Sequence, residues 1–351
     1  MKISVQNWGT MPDGSDIQLY TLENDKGTRV RISTLGAIVQ AIETPDRDGK
    51  LADIVMGFDD AAGYLVDGSY QGAAIGRFGN RIGGARFTLD GVEYKLAANE
   101  GENCLHGGRP SFERALWRAA SVHCESYVGV DMFHFSPDGQ NGFPGNVDVI
   151  ISFRLNERNE LSIAYKATTD KATPLNMTHH MYYNLSGDFG TEITDHVLRL
   201  AADRTTTVNA KMVPTGEIDS IIGNPFDFNT PTVIGQRIDA DNEQLRYGGG
   251  YDHNLIFSEA DGSLKLQGEV SDPKTGRVME LLTTEPAVQF YTGNCLGGDK
   301  GKGGLPNAWR HAVCLETQHY PDSPNHENFP STIVRPGDVY TSETVLRFSA
   351  K

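Results

Sequence analysis

The chain has 351 residues and a formal net charge of −15. This length accommodates one large domain or two ordinary ones. The excess of acidic residues repels phosphate backbones and anionic lipid head groups, so we expect neither nucleic acid nor a membrane surface as a partner. Beyond solubility the charge indicates no specific partner, and nothing in the sequence indicates an oligomeric state.

The cysteines predict neither a metal site nor a disulfide framework. Cys104, Cys124, Cys295 and Cys314 form no C-x-x-C pair and lack a metal-type histidine spacing. A chain of this length does not need disulfides to build a core. Residues 1–20 contain one lysine and no apolar signal-like segment, and no stretch approaches the ~20 apolar residues of a membrane span. We therefore expect reduced thiols in a cytoplasmic protein.

Alternation of apolar and polar residues with a period of two predicts strands along most of the chain. The clearest run is 147–155, in which the odd-numbered positions are apolar, and a polar turn at 156–159 leads to a second alternating run at 161–168. Two such runs around a short turn predict a β-hairpin. Shorter strands are predicted in the segments listed here: 29–32, 54–58, 197–202, 289–292 and 344–348.

A second hairpin is predicted around the turn 272–276. Its first strand is expected to carry Leu264, Leu266 and Val270 on one face, and its second strand contains Val278, Glu280 and Leu282. The best helical candidate is 111–120, although its Leu116 and Trp117 equally suit a strand. The many strands without a βαβ rhythm predict an all-β antiparallel sandwich or barrel-like fold. No linker-like tract divides the chain, so we expect a single domain over residues 1–351.

Two polar loops in the first third of the chain are candidate binding segments. Residues 76–82 (GRFGNRI) contain Arg77, Asn80 and Arg81, which suit hydroxyl or carboxylate ligands. The spacing and the lysine of a phosphate-binding loop are absent. In residues 103–108 (NCLHGG), His106 precedes two glycines that allow close approach of the backbone to a ligand. Taken alone, each loop equally suits an ordinary surface turn.

Residues 176–185 (NMTHHMYYNL) place polar groups at alternate positions. In a strand, Asn176, Thr178, His180 and Tyr182 would share one face, and His179 would lie on the other. A face of amide, hydroxyl, imidazole and phenol suits a polyhydroxylated ligand better than it suits a packed core. Because the two adjacent histidines would point apart, the pattern argues against a metal site.

Three further polar positions occur later in the chain. Asp252 lies in residues 250–254 (GYDHN), where it could accept hydrogen bonds from two sugar hydroxyls while Tyr251 stacks on a sugar face; a plain turn is the alternative. Gln289 interrupts an apolar run. Glu316 follows apolar residues in the run 313–325, and carboxylates are seldom buried without a partner. Glu316 is therefore either an edge residue or a working group.

Taken together, these segments resemble the aldose 1-epimerase (galactose mutarotase) family. Six family motifs are present in the family order between residues 76 and 325: a G-R-x-A-N-R-I loop, an L-H-G-G turn, an N-x-T-[NH]-H-x-Y-F-N-L strand, D-H-N, Q-x-Y-T and E-x-Q-x-x-P-D-x-P-N. Gly79 stands for the usual Ala in the first motif and Tyr183 for the usual Phe in the third. The resemblance implies an all-β fold, a large antiparallel β-sandwich called a supersandwich, and a cofactor-independent isomerase of carbohydrate metabolism that acts on small aldoses.

The resemblance also implies roles for individual residues. His180 matches the general acid of the family and Glu316 its general base, whereas the role of Arg77 stays open. The positions that match sugar contacts in the family are Asn80, Arg81, His106, Tyr182, Asp252 and Gln289. No metal or cofactor is implied. We expect a neighbouring carboxylate to keep His180 protonated.

Three other functions remain as alternatives at this stage. A hexose-6-phosphate epimerase of similar fold would need a basic phosphate pocket, and a non-catalytic sugar-binding module would need no acid–base pair. A metal hydrolase is disfavoured because no H-E-x-x-H or comparable spacing occurs. Which aldose is preferred does not follow from the sequence.

Overall fold

Antiparallel strands form most of the computed structural model, which describes all 351 residues. The largest sheet has nine strands, in the spatial order Arg118–His123, Tyr127–Ser136, Val147–Asn156, Glu160–Thr169, Tyr340–Ala350, Arg277–Thr283, Lys265–Ser271, Val197–Leu200 and Thr232–Val233. The last strand of the chain thus lies in the middle of this sheet, between strands from the second and the last third of the sequence.

Two five-stranded sheets complete the main architecture. The N-terminal sheet is a meander, in the order Lys2–Thr10, Asp16–Glu23, Arg29–Ser33, Val39–Pro45 and Leu51–Asp53. The other sheet has the order Pro214–Ser220, Ala202–Val208, Asp252–Phe257, Ala287–Tyr291 and Cys314–Gln318. This second sheet carries three of the predicted functional residues, and we refer to it as the site sheet.

Short elements connect the three sheets. Five two-stranded pairs occur: Ala74–Ile75 with Thr178–His179, Arg81–Ile82 with Cys104–Leu105, Arg86–Leu89 with Val92–Lys95, Thr173–Pro174 with Ile333–Val334, and Asp299–Lys300 with Pro306–Asn307. The α-helices are Ala61–Val66 and Glu243–Gly248; the 3₁₀ turns are Gly83–Ala85, Phe112–Arg114, Gln140–Gly142, Ile234–Gln236, Lys302–Gly304 and Ser323–Asn325. None of these helices is both long and apolar enough to cross a membrane.

The first predicted hairpin is confirmed residue by residue. Its strands are Val147–Asn156 and Glu160–Thr169, and Val147 pairs with Thr169 while Leu155 pairs with Leu161. The apolar odd-numbered side chains are buried, as the alternation predicts. Asn159 adopts a left-handed conformation in the turn (φ 58°), which asparagine tolerates better than most residues.

The second hairpin is confirmed, but the predicted buried face of its first strand is wrong. The strands Lys265–Ser271 and Arg277–Thr283 flank the expected turn, yet Leu264 and Leu266 are exposed. A β-bulge between Leu266 and Gly268 shifts the register, so that Gln267 is buried in place of Leu264 and Leu266, while Val270, after the bulge, is buried as expected. One extra residue in a strand moves every preceding side chain to the opposite face.

Two other assignments are corrected. Residues 54–58 form no sheet strand, because the Asp53 carboxylate binds the backbone N–H groups of Ile42 and Val55 and ends the ladder. The chain continues in extended form, and Met56 donates its N–H to the carbonyl of Tyr182. The predicted helix at 111–120 is only the 3₁₀ turn Phe112–Arg114 followed by a strand from Arg118.

One large hydrophobic core joins the sheets. It contains 53 buried residues and receives side chains from all three large sheets, for example Leu22, Ile151 and Leu255. At roughly 25 cal/mol per Å² of buried apolar surface, such shared burial is the main stabilising contribution to the fold. The site sheet is therefore held against the other two sheets by common packing and not by a few loop contacts.

Candidate active site

A cavity of about 390 Å³ opens at the site sheet. Seven of the eight functional residues predicted from the sequence line it: Asn80, Arg81, His106, His180, Tyr182, Asp252 and Glu316. They come from five separate segments of the chain. The fold therefore brings together side chains that lie up to 236 residues apart in sequence (316 − 80).

Glu316 is delivered by Cys314–Gln318, the edge strand of the site sheet. In the ladder it lies opposite Gln289, and its side chain is only 2% exposed. One carboxylate oxygen, Oε2, has no hydrogen-bond partner in the protein. A buried carboxylate with an unsatisfied oxygen costs free energy, so the protein alone leaves Glu316 poorly compensated for its lost hydration.

His180 reaches the same cavity from the opposite side. The pair Ala74–Ile75 with Thr178–His179 fixes its backbone, and its N–H donates to the carbonyl of Ala73 at 3.0 Å. The predicted alternation over 176–182 holds in part, since His180 and Tyr182 line the cavity and Met177 and Met181 lie in the core. Asn176 and Thr178, predicted on the same face as His180, are buried and do not line the cavity. His179 points into the core, where it contacts Tyr165 and the carbonyl of Ala37.

Two tyrosines enclose the imidazole of His180. The ring of Tyr182 stacks on one side at 4.8 Å between centroids, and the ring of Tyr70 is nearly parallel to it at 6.3 Å. The phenol of Tyr182 donates to the carbonyl of Ser69 at 2.9 Å. These contacts fix the plane of the imidazole, and Nε2 of His180 lies 3.6 Å from Oε1 of Glu316.

Burial determines the protonation of this pair. It lowers the pKa of His180 to about 4 and raises the pKa of Glu316 well above its ordinary value, an effect to which the negative charge of Asp252 adds. The expectation that a neighbouring carboxylate keeps His180 protonated is therefore wrong for the protein alone. Both groups have lost their water, and desolvation outweighs their attraction across 3.6 Å. Burial thus favours the neutral imidazole and the protonated carboxyl, a state in which the pair holds one proton.

His106 is the third member of a cluster with His180 and Glu316, since one potential ligand atom of each lies within 4.8 Å of the others. This geometry alone could hold a metal ion. However, Nδ1 of His106 accepts the backbone N–H of Asn80 at 3.1 Å, and burial holds the pKa of His106 well below its usual value. The neutral ring then carries its hydrogen on Nε2, which makes it a hydrogen-bond donor and not a metal ligand.

Arg81 is the centre of an ionic network on the cavity wall. It donates two hydrogen bonds to Glu100, at 2.8 and 2.7 Å, and lies 3.8 Å from Asp252. Burial alone would lower the pKa of Arg81, but the charges of Asp252 and Glu100 raise it. Burial raises the pKa of Asp252, against the opposing influence of Arg81 and Gln289. The network presents fixed donors and acceptors at one end of the cavity.

Gln289, Arg77 and Tyr251 do not line the cavity. Gln289 lies behind Asp252 and donates to its Oδ1 at 2.7 Å, so a sugar contact of its own stays a prediction. Arg77, whose role the resemblance leaves open, is buried and binds Ser136 and the carbonyls of Pro137 and Pro144, contacts that support a structural role. The suggested stacking of Tyr251 on a sugar is wrong, because Tyr251 is fully buried in the main core.

Several lining residues were missed by the sequence analysis. An acidic residue near Arg81, such as Glu100, could have been predicted, because an arginine in a buried site requires an anionic partner. Tyr70 had none: its left-handed backbone (φ 60°) and its contact with the Arg109 guanidinium at 4.6 Å depend on the folded loop. Cys295, Asp299 and Asn307 reach the cavity from the glycine-rich segment 293–307, whose composition resembles that of any surface loop.

Comparisons with known proteins identify relatives of this chain. The family model described as aldose 1-epimerase matches residues 18–347. Galactose mutarotase of Bos taurus is 39% identical over 344 residues, and aldose 1-epimerase of Escherichia coli (strain K12) is 34% identical over 342 residues; each match covers 97% of both chains.

Solved structures show the same fold. A galactose 1-epimerase from Lactobacillus acidophilus NCFM has a TM-score of 0.88 at 23% identity and covers 100% of this chain and 99% of its own. A GalM/aldose epimerase homologue from C. elegans has a TM-score of 0.84 at 28% identity, covering 95% and 98%. The predicted all-β fold of the galactose mutarotase type is thereby confirmed. The chain belongs to the aldose 1-epimerase family.

Proposed function

We propose that this protein is an aldose 1-epimerase that interconverts the α and β anomers of free aldoses such as D-galactose and D-glucose, with His180 as general acid and Glu316 as general base. The observation that carries the assignment of the two residues is their approach to 3.6 Å inside the cavity, with one carboxylate oxygen unsatisfied. Family membership over nearly the whole chain supports the reaction.

The chemistry requires one acid and one base. An anomer inverts only when its ring opens, so the C1 hydroxyl loses a proton while the ring oxygen O5 gains one. When the C1 hydroxyl donates to Glu316, it stabilises the carboxylate and lowers the pKa of that group. The single proton of the pair then resides on His180, which donates it to O5. Rotation about C1–C2 and the reverse transfers give the other anomer and restore the pair.

The remaining polar groups suit the other hydroxyls of the sugar. His106 offers an N–H, and Asn80 and Tyr182 add an amide and a phenol; Arg81 and Asp252 present a cation and an anion. Gln289 contributes by orienting Asp252. This set needs no metal or cofactor, because every step is a proton transfer between oxygen and a side chain.

A phosphorylated sugar is a poorer candidate for this cavity. Arg81 is the only lysine or arginine among the lining residues, and it is already paired with Glu100. Four acidic residues line the same space: Glu100, Asp252, Asp299 and Glu316. A 6-phosphate would meet net negative charge, so the hexose-6-phosphate epimerase is disfavoured on electrostatic grounds. A binding module without catalysis would not need the acid–base pair.

The test is polarimetry of freshly dissolved α-D-galactose and α-D-glucose at neutral pH, with a chelator present. We expect relaxation to the ordinary equilibrium rotation to be faster with the protein than with buffer. The same assay on galactose 6-phosphate distinguishes the proposed function from that of a hexose-6-phosphate epimerase. Preferential relaxation of the phosphorylated sugar would contradict the proposal. Unchanged relaxation with every sugar, together with measurable sugar binding, would favour the binding module.

The cellular compartment is also a proposal. The four cysteines are unpaired, and two of them, Cys104 and Cys314, are buried as thiols. Free buried thiols are consistent with a reducing environment, which supports the cytoplasm.

A further inference from the structure

The rim of the sugar cavity carries an exposed thiol. Cys295 lines the cavity together with Arg81 and Tyr291 and is exposed to solvent. The same cavity contains the Glu316 carboxylate, which is 2% exposed and has an unpartnered oxygen, so the thiol faces a space built to take a ligand. Nothing in the acid–base chemistry uses this group.

The backbone on both sides of Cys295 is fixed. Its own N–H donates to the phenol oxygen of Tyr291 at 2.9 Å. The side chain of Asn294 donates to the carbonyls of Gly248 and Tyr251, each at 2.9 Å, and accepts from Thr292 at 2.8 Å. These bonds hold the backbone that carries the Cys295 sulfur in place at the cavity.

The far end of the segment 293–307 is also anchored. Lys302 is buried and donates to Asp53 at 2.7 Å, to the carbonyl of Val55 at 2.6 Å and to the carbonyl of Gln40. The loop between the two anchors supplies Leu296 and Asp299 to the cavity wall. The thiol thus stands at a rim whose shape is set from both sides.

We propose that Cys295 is a modification site at which a small uncharged disulfide closes the sugar cavity. The thiolate attacks one sulfur of the disulfide, a bond forms between the two sulfurs, the original S–S bond breaks, and the second half leaves as a thiolate; the proton of Cys295 goes to solvent. An added thiol reverses the exchange. The effect on activity rests on the proposed function, whereas occupation of the cavity does not.

The other cysteines provide the controls. Cys104 and Cys314 are buried, and burial raises the pKa of Cys104 to about 12 and that of Cys314 well above its usual value. Cys124 is partly exposed between the strands Arg118–His123 and Tyr127–Ser136, away from the cavity. Its hydrogen bond with Ser126 lowers its pKa, so it is a matched accessible thiol outside the site.

The experiment uses dithiodipyridine, which releases a coloured thione for each thiol that reacts. We expect two thiols to react in the native protein and one thiol, that of Cys295, to react in Cys124→Ser. In this variant, mutarotase activity should be lost in proportion to the thione released. Dithiothreitol should restore the activity. In Cys295→Ser the one remaining thiol should react without changing the variant's own untreated activity.

Protection of Cys295 by bound sugar tests whether this thiol lies in the cavity, independently of any measurement of activity. Galactose at about ten times its dissociation constant should slow the reaction of Cys295 in Cys124→Ser about tenfold, by mass action, and leave the reaction of Cys124 in Cys295→Ser unchanged. An equal rate for Cys295 with and without bound sugar, or full mutarotation after complete reaction, would overturn the proposal. If the untreated protein does not catalyse mutarotation, the proposed function fails, while protection by a bound sugar still decides whether Cys295 lies in the cavity.

Discussion

The carboxylate of Glu316 and the imidazole of His180 have neutral replacements of nearly the same shape. Glu316→Gln removes the base and His180→Asn removes the acid, and proton transfer by one positioned group contributes about 10²–10⁴-fold to a rate. We expect each variant to lose mutarotase activity on that scale, measured as kcat/KM by polarimetry. Because Glu316 Oε2 is buried and unsatisfied, Glu316→Gln should unfold at the same or a higher temperature than the parent protein.

Two outcomes would contradict these roles. Turnover within a few-fold of the parent protein in either variant would exclude that residue as acid or base. Loss of activity together with loss of the folded circular dichroism spectrum would indicate a structural effect instead. An unchanged circular dichroism spectrum of each variant is therefore the required control.

The pH dependence follows from the same buried pair. Catalysis requires one proton on the two groups, so activity is lost when both are protonated and when neither is. Burial lowers the pKa of His180 to about 4, and His180 therefore stays available to share the proton until the pH falls through about 4. The raised pKa of Glu316 places the loss of the last proton above the ordinary carboxylate range. The profile of kcat/KM should be bell-shaped.

The acid limb of that profile discriminates between two environments of His180. A solvated histidine has a pKa of about 6.5, so an acid limb near that value would show that the imidazole is not desolvated as described. Spontaneous mutarotation also depends on pH, and the rate in buffer must be subtracted at each point. Full activity at pH ~5, well below the ordinary value for histidine, is the expected result.

At the level of elements, the alternation of apolar and polar residues predicted the strands with regular ladders. It failed where a β-bulge or a side-chain hydrogen bond interrupts the ladder. The odd-numbered positions of 147–155 are buried as expected, since an uninterrupted strand keeps its register. The bulge after Leu266 moves the side chains before it to the opposite face of the first strand of the second hairpin. The Asp53 carboxylate ends the ladder before residues 54–58. Neither event has a signal in the apolar pattern.

The site could be predicted as a set of residues but not as an arrangement. Motif order predicted His180 and Glu316, whereas their approach to 3.6 Å depends on segments that are 136 residues apart (316 − 180). The register that puts Gln289 opposite Glu316 also places it behind Asp252, and no sequence pattern distinguishes a residue in the cavity from one behind it. Protonation likewise depends on burial, which only the fold defines.

Toward its C-terminal end, the segment 293–307 is anchored by one buried cation, that of Lys302. Lys302→Met keeps much of the apolar length of the side chain but leaves Asp53 and two backbone carbonyls without their donor. Unsatisfied buried groups cost about 1–3 kcal/mol each, and Asp53 is still partly solvated. We expect the free energy of unfolding in urea to fall by about 2–4 kcal/mol in total, with KM for galactose raised because Leu296 and Asp299 lose their position.

Lys300 provides the matched control for this substitution. It lies two residues earlier in the same segment and is exposed, so Lys300→Met should change the free energy of unfolding by less than about 0.5 kcal/mol. Equal effects of the two substitutions would mean that the loss of a surface charge, and not the loss of the anchor, explains the result for Lys302.

For the whole molecule, the position of the last strand bears on the number of domains that the chain forms. Tyr340–Ala350 pairs with Glu160–Thr169 on one side and with Arg277–Thr283 on the other. The nine-stranded sheet thus has one half from the middle of the sequence and the other from later residues, joined by the end of the chain. We propose on this ground that residues 1–351 form one cooperative domain.

This proposal predicts a single unfolding transition in urea. Trp117 is 2% exposed in the main core, to which all three large sheets contribute, so its fluorescence reports on the packing that joins them, while far-ultraviolet circular dichroism reports on all strands. The two signals should change with the same midpoint. The other two tryptophans, Trp8 and the exposed Trp309, are replaced by Phe to leave the signal of Trp117 alone. Separate midpoints would show that at least one sheet unfolds independently, and the chain would then contain more than one domain.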